Sequence, residues 1–517
     1  MKKMKRLMAV LLTLAMVLGM SVVTFAAPTL AAIKIPVSGD VVDGTEYQWL
    51  QLIEPDETTE TGWKFSTATI TDEDTPSIAD VFKQTLGVTD EQDAIWKLIG
   101  GNGITKADQT LVDEIIVKIA NGNYVLGVSA SEITVSSAGM YYIKATAPEG
   151  ANYIYNPMAA YVGFEYTDGK PAELKTDGVG AKGSKVETNK TSNVPTKVTE
   201  INEEVTYYVG SIVPDIPLAQ NNRTYALTDT ISGANYVLND DKNVEITVYY
   251  GEVGTSLDTF IASVKNKEVN SDATTYYSKE VYDVLDPDTN EATGETGFWA
   301  DLSTILDENA HANQPIVFSY KVKVTDTEVL NDAKVGKSKG TTEYGSDDEH
   351  LYTVKITINK KDESDNLLDG AKFVISKKEG DKTLYAEFDS NKFVEWVENT
   401  DTNAKYAGTE LEAKDGTVTV EGLGEGTYQI IEVEAPQGYS INADIEELTV
   451  DVTTDTQHVT NGVATAVLEG EREVVDTTLL ALPSTGGIGT TIFTIVGCLI
   501  MIAAAGLFFA SRRKTEK

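Results

Sequence analysis

The chain of 517 residues has one cysteine, Cys498, and three histidines. A single cysteine excludes an intrachain disulfide framework and any zinc site built on two or more thiolates. His311, His350 and His458 lie far apart, and none falls in an H-E-x-x-H arrangement. No metal and no cofactor are therefore expected. A P-loop, a G-x-S-x-G turn and a dinucleotide fingerprint are all absent, which leaves an enzyme reading without a catalytic constellation. Basic side chains are also scarce: 42 Lys and Arg stand against 80 Asp and Glu, a net charge of −38. Nucleic acid is excluded as a partner, because its phosphates demand Lys and Arg. Such a balance suits a soluble, exposed surface.

Long apolar runs are confined to the two ends. Lys2, Lys3, Lys5 and Arg6 precede an apolar stretch over residues 7–23, and small residues follow. This predicts a secretory signal peptide over 1–26, cut after Ala26, with Ala31 the other candidate. At the other end, 488–510 is uncharged and apolar, and 511–517 is basic at Arg512, Arg513 and Lys514. The pattern predicts a transmembrane helix with a cytoplasmic tail. Immediately before it stands Leu482-Pro483-Ser484-Thr485-Gly486. Pentapeptide, apolar helix and basic end together resemble the LPxTG sorting signal of cell-wall-anchored proteins in Gram-positive-type envelopes. That resemblance implies that a sortase cysteine attacks the Thr485 carbonyl, releases Gly486 onward and passes the Thr485 acyl group to an amine. Pro483 keeps the segment out of helices and ladders, and so accessible.

Between the ends lie roughly 450 residues, enough for about three domains. Short runs rich in Val, Ile, Thr and Tyr dominate from about residue 130 to 475, among them 244–250, 315–324, 351–358, 417–420 and 427–433. The fold class expected is mainly β: tandem immunoglobulin-like β-sandwich domains. Helical spacing over 77–86, 91–99 and 106–119 adds helices to the first domain. Polar segments at 175–195 and 338–349 divide the chain into 33–180, 181–348 and 349–478. Trp49, Trp63 and Trp96 are read as core residues of the first domain.

In the third domain Val354, Ile356, Ile358 and Lys360 alternate, so a lysine shares the face of three apolar residues. Glu432 shares a face with Tyr428 and Ile430, and Asp476 with Val474. With Leu368-Asp369-Gly370-Ala371-Lys372-Phe373 and Ala435-Pro436-Gln437-Gly438-Tyr439, the series resembles the collagen-adhesin B-type (SpaA-like) domain. The resemblance implies an internal isopeptide bond, with Lys360 as nucleophile, Glu432 as assisting acid and Asp476 as acceptor. Most relatives carry Asn at the acceptor; with Asp the leaving group is water. Burial favours the neutral amine and the protonated acid that the reaction needs.

Tyr225-Ala226-Leu227-Thr228-Asp229-Thr230-Ile231-Ser232 resembles a strand of the fimbrial isopeptide-forming domain of backbone pilins. The resemblance implies Lys190 as nucleophile and Asp229 as assisting acid. The expected late asparagine is replaced by Ser338, and Asn331 is assigned to an earlier strand.

Together these features resemble a backbone (major) pilin: a structural, non-enzymatic subunit polymerised between a lysine and Thr485 and stiffened by intradomain bonds. Its implied partners are a sortase, neighbouring subunits and peptidoglycan. No Y-P-K motif marks the linking lysine; Lys182 is the candidate, with Lys185 the alternative. A solitary wall-anchored adhesin or ancillary pilin that binds a host ligand shares every sorting feature.

Overall fold

The computed structural model describes residues 30–478, apart from 40, 149–150, 168–169, 222, 269–272, 402–403 and 442–443, together with the helix Gly489–Arg512. The expected signal peptide, the Leu482–Gly486 motif and residues 513–517 of the basic tail lie outside the described residues. The described chain is mainly β and falls into two compact units, one holding residues up to 195 and 203–351, the other 196–202 and 352 onward.

In the first unit, a five-stranded sheet of Trp63–Phe65, Glu46–Pro55, Gly139–Thr146, Met158–Thr167 and Lys170–Lys175 carries three helices. They form at Ile78–Leu86, Glu91–Ile99 and Gln109–Ala120, close to the ranges that the apolar spacing predicts. Each begins at a side chain that accepts hydrogen bonds from free amides of its first turn: Ser77, Asp90 and Asp108. Ile78, Phe82, Ile95, Leu98, Ile115 and Ile119 join Trp63 in the core, and Trp49 and Trp96 pack against it. Burial of each such aliphatic side chain contributes roughly 1.5–3 kcal/mol.

One glycine in this sheet has no substitute. The register between Glu46–Pro55 and Gly139–Thr146 shifts between Gln51 and Ile53. Gly139 sits opposite that irregularity at φ 147°, and a Cβ there would lie 1.9 Å from the Ile53 carbonyl oxygen. Gly139→Ala should therefore cost at least about 1–3 kcal/mol. The expected result is a lower urea midpoint for the first unit with an unchanged slope.

The remainder of the unit is two antiparallel sheets. One runs Thr188–Ser192, Glu204–Ile212, Pro315–Val324, Glu245–Tyr250, Thr274–Tyr277. The other runs Glu280–Leu285, Ala292–Asp301, Ala226–Ser232, Glu328–Gly336, Gly345–Tyr352. A helix that the sequence reading did not anticipate, Leu257–Lys265, lays Leu257, Phe260, Ile261 and Val264 against Val317. The segment read as a polar boundary, 175–195, is paired backbone. Val179–Ala181 joins Val37–Gly39 in parallel, Gly183–Lys185 joins Tyr153–Tyr155, and Thr188–Ser192 is a sheet edge.

The second unit is one folded-over sheet of Val354–Asp362, Lys372–Glu379, Lys382–Asp389, Lys392–Glu398, Thr417–Leu423, Gly426–Glu434, Glu446–Val450 and Leu468–Thr478, with shorter strands at its margins. Its first and last long strands are direct parallel neighbours over nine residues, Val354 opposite Leu468 through Asp362 opposite Asp476. The run expected at 351–358 is two strands, broken at Thr353.

The expected transmembrane span is not supported among the described residues. A helix does form at Gly489–Arg512, but among the described residues no helix is long and apolar enough to cross a membrane.

Candidate functional site

Two clusters of buried ionisable side chains stand out, one in each unit. Strand alternation builds the cluster in the second unit. Val354, Ile356, Ile358 and Lys360 occupy the inward positions of their strand, and Lys360 is 0% exposed. On the parallel neighbour, Leu468, Gly470, Val474 and Asp476 face inward. Lys360 is in register with Val474, so Asp476 lies two residues further along on the same face. Glu432 arrives from Gly426–Glu434, in register with Phe373, and is buried with Tyr428 and Ile430.

The Lys360 Nζ is 3.0 Å from Glu432 Oε1 and forms a closer pair with Asp476 Oδ1, all three side chains being shielded from solvent. These are ion-pair separations without hydrogen-bond alignment: the Lys360 amine and both Asp476 oxygens lack a well-directed hydrogen bond. Three ionisable groups, all shielded from solvent, therefore meet in one place. The Phe373 ring centroid is 6.0 Å from the amine and closes the cluster on its apolar side. The sequence-predicted trio is thus brought together.

The cluster in the first unit lies between two sheets. Thr188, Lys190 and Ser192 face inward from one, and Tyr207 and Tyr320 stand beside them, in register with each other. Asp229 comes from the opposing sheet, 0% exposed. The Lys190 Nζ donates to Asp229 Oδ2 at 2.5 Å and to the Tyr320 hydroxyl at 2.9 Å. The Tyr236 hydroxyl donates to Asp229 Oδ1 at 2.8 Å, and the Tyr320 hydroxyl donates to Oδ2. Desolvation pushes the Lys190 amine below its usual range and the Asp229 carboxyl above its own, each opposed by the partner's charge. Both shifts favour a neutral amine beside a neutral acid.

The asparagine that the sequence reading set aside also belongs here. Asn331 lies on the late strand Glu328–Gly336, opposite Ile231 and two residues from Ala333, the partner of Asp229. It is fully buried, and its Nδ2 donates to the Tyr320 hydroxyl at 3.2 Å. Ser338, the position expected to align, is exposed in the turn beyond that strand. The signal was present in the sequence: Val329, Asn331, Ala333 and Val335 alternate, which puts a polar side chain on an apolar face.

Lys182 and Lys185 both reach solvent, with side chains 69% and 65% exposed. Lys185 is paired with Glu187 at 2.5 Å, whereas the carboxylate beside Lys182, that of Asp113, stands 3.9 Å away. Among the described residues no group of three or more His, Cys, Asp or Glu side chains is arranged to hold a metal ion.

Residues 354–463 match the SpaA prealbumin-like fold domain, and residues 479–517 match the LPXTG cell wall anchor motif. The trypsin-resistant surface T6 protein of Streptococcus pyogenes serotype M6 is 30% identical over 118 residues, 22% of this chain and 22% of that protein. Among solved structures, the T6 backbone pilin of serotype M6 Streptococcus pyogenes is similar at 16% identity and a TM-score of 0.48, over 83% of this chain and 82% of that one. The Corynebacterium diphtheriae major pilin SpaA is similar at 13% identity and a TM-score of 0.47, over 86% and 100%. Both family matches fall on structural modules, a fold domain and an anchor, and the chain is a cell-wall-anchored surface protein.

Proposed function

We propose that the chain is the backbone subunit of a sortase-assembled pilus, built from domains that cross-link themselves internally. One observation carries the reading. Two different domains ahead of an LPXTG anchor each bury a lysine against carboxyl groups, where an unreacted charge would be costly. In the third domain, Lys360 Nζ attacks the Asp476 carboxyl carbon with Glu432 as proton carrier, and water leaves. In the second, Lys190 attacks the Asn331 carboxamide with Asp229 as the assisting acid, and ammonia leaves. Fixed proximity within the folded domain supplies the acceleration. The domain ranges 33–180, 181–348 and 349–478 belong to this reading.

Polymerisation would join the Thr485 acyl group of one subunit to Lys182 of the next. The solvent exposure of Lys182 and its loose pairing favour it over Lys185. The test is an immunoblot of muramidase-released wall material boiled in SDS. A ladder of high-mass species that disappears in Lys182→Ala is the expected result. A ladder that survives moves the linkage to Lys185 or another lysine. A single band near monomer mass overturns the shaft role and favours a solitary adhesin.

A further inference from the structure

The second-domain cluster has a gap in its chemistry that the lysine, acid and amide do not fill by themselves. Amide exchange must take one proton off the attacking nitrogen and put one on the departing nitrogen. Among the described contacts Asp229 touches Lys190, Tyr236 and Tyr320, but not Asn331. What touches both nitrogens is the Tyr320 hydroxyl, 2.9 Å from Lys190 Nζ and 3.2 Å from Asn331 Nδ2. Tyr320 is 2% exposed and sits on a central strand of its sheet, flanked by the rings of Tyr207, Tyr236 and Phe298. Bulk water therefore has no place in the transfer.

We infer that Tyr320 is a catalytic residue of this cluster, its hydroxyl relaying a proton from the Lys190 amine to the departing nitrogen of Asn331, an inference that rests on the cross-linking reading above. The lone pair of neutral Lys190 Nζ forms the new bond to the Asn331 carboxamide carbon. One Nζ proton passes to the Tyr320 oxygen while the tyrosine's own proton, donated to Asp229 Oδ2 at rest, turns from that carboxyl to Nδ2. The carbon–Nδ2 bond breaks with its electron pair on nitrogen, and ammonia leaves. Tyrosine and acid end as they began. Asp229 holds the hydroxyl in place through Oδ2, and Tyr236 fixes the carboxyl through Oδ1. Burial and the adjacent carboxyl hold the Tyr320 hydroxyl in its protonated form, so it can both give and receive.

The test is cell-free synthesis of the full chain, quenched at intervals and digested, with the Lys190–Asn331 linked peptide quantified by mass spectrometry. Tyr320→Phe keeps the ring and removes the relay, and linkage should slow on the order of 100-fold or more. Linkage at the wild-type rate in that variant would overturn the relay and leave the cross-link reading standing. Absence of the linked peptide from the wild-type chain would overturn both. Packing is separated from proton transfer by placing a difluorotyrosine at position 320, which retains ring and hydroxyl but makes the phenol more acidic. A changed rate and pH profile support the relay. A rate and profile identical to wild type, with Tyr320→Phe still slow, reduce the residue to packing and overturn it.

Discussion

Lys360→Ala should lower the melting temperature of the unit that holds it by on the order of 20 °C or more, and should retain the one water that the proposed cross-link releases. Two contributions act in the same direction. The first is the lost cross-link: closing a loop of roughly 115 residues removes chain entropy from the unfolded state worth about 4–5 kcal/mol by the disulfide analogy. The second is local. Glu432 and Asp476 remain, both shielded from solvent, without the Lys360 nitrogen that joins or pairs with them. Removing one member of a buried ion pair costs about 3–5 kcal/mol. For a domain of this size each kcal/mol shifts the midpoint by roughly 4 °C. Calorimetry on the full chain, together with mass spectrometry of its tryptic peptides, reads both consequences. A wild-type digest that contains the free Lys360 and Asp476 peptides would remove the first contribution, and a drop of roughly 12–20 °C would follow from the second alone.

The second-domain cluster gives the other large effect, as an order among variants. Asn331→Ala removes the acceptor but leaves Lys190 with Asp229, so it reports the cross-link, about 5 kcal/mol for a loop of roughly 140 residues. Asp229→Ala abolishes the same bond and strands a buried lysine, adding about 3–5 kcal/mol. It also leaves Tyr236 and Tyr320 without the acceptor both use. Asp229→Ala should therefore unfold at the lower temperature. Equal midpoints would mean that the acid has little effect beyond bond formation.

How much of this was legible beforehand depended on periodicity. Lys360 could be singled out because three apolar residues precede it at alternate positions, and a charge in that phase needs a partner. The three helices of the first unit were equally open, since apolar residues recur at helical spacing along each of them. Asn331 was passed over because the late asparagine was sought at the position of Ser338, whereas position on a sheet face depends on alternation within its own strand. The helix Leu257–Lys265 was missed although Ser256 caps it and Leu257, Phe260, Ile261 and Val264 carry its stripe. The β-rich surroundings outweighed a nine-residue pattern. Tyr320 gave no signal, because a tyrosine among buried aromatics looks like packing until its hydroxyl is located. The convergence of Lys190 with Asp229 and Asn331 across two sheets is a tertiary fact, and no local pattern encodes it.

The parallel contact between Val354–Asp362 and Leu468–Thr478 bears on what happens when the chain is cut. Once Lys360 and Asp476 are joined, the main chain has a bypass around everything between them. A protease that nicks the exposed hairpin at Ser390 or Asn391, or the loop at Asn461, would leave two pieces that still travel as one molecule. In the proposed polymer, such surface loops are then open to clipping without severing the covalent path from one subunit to the next.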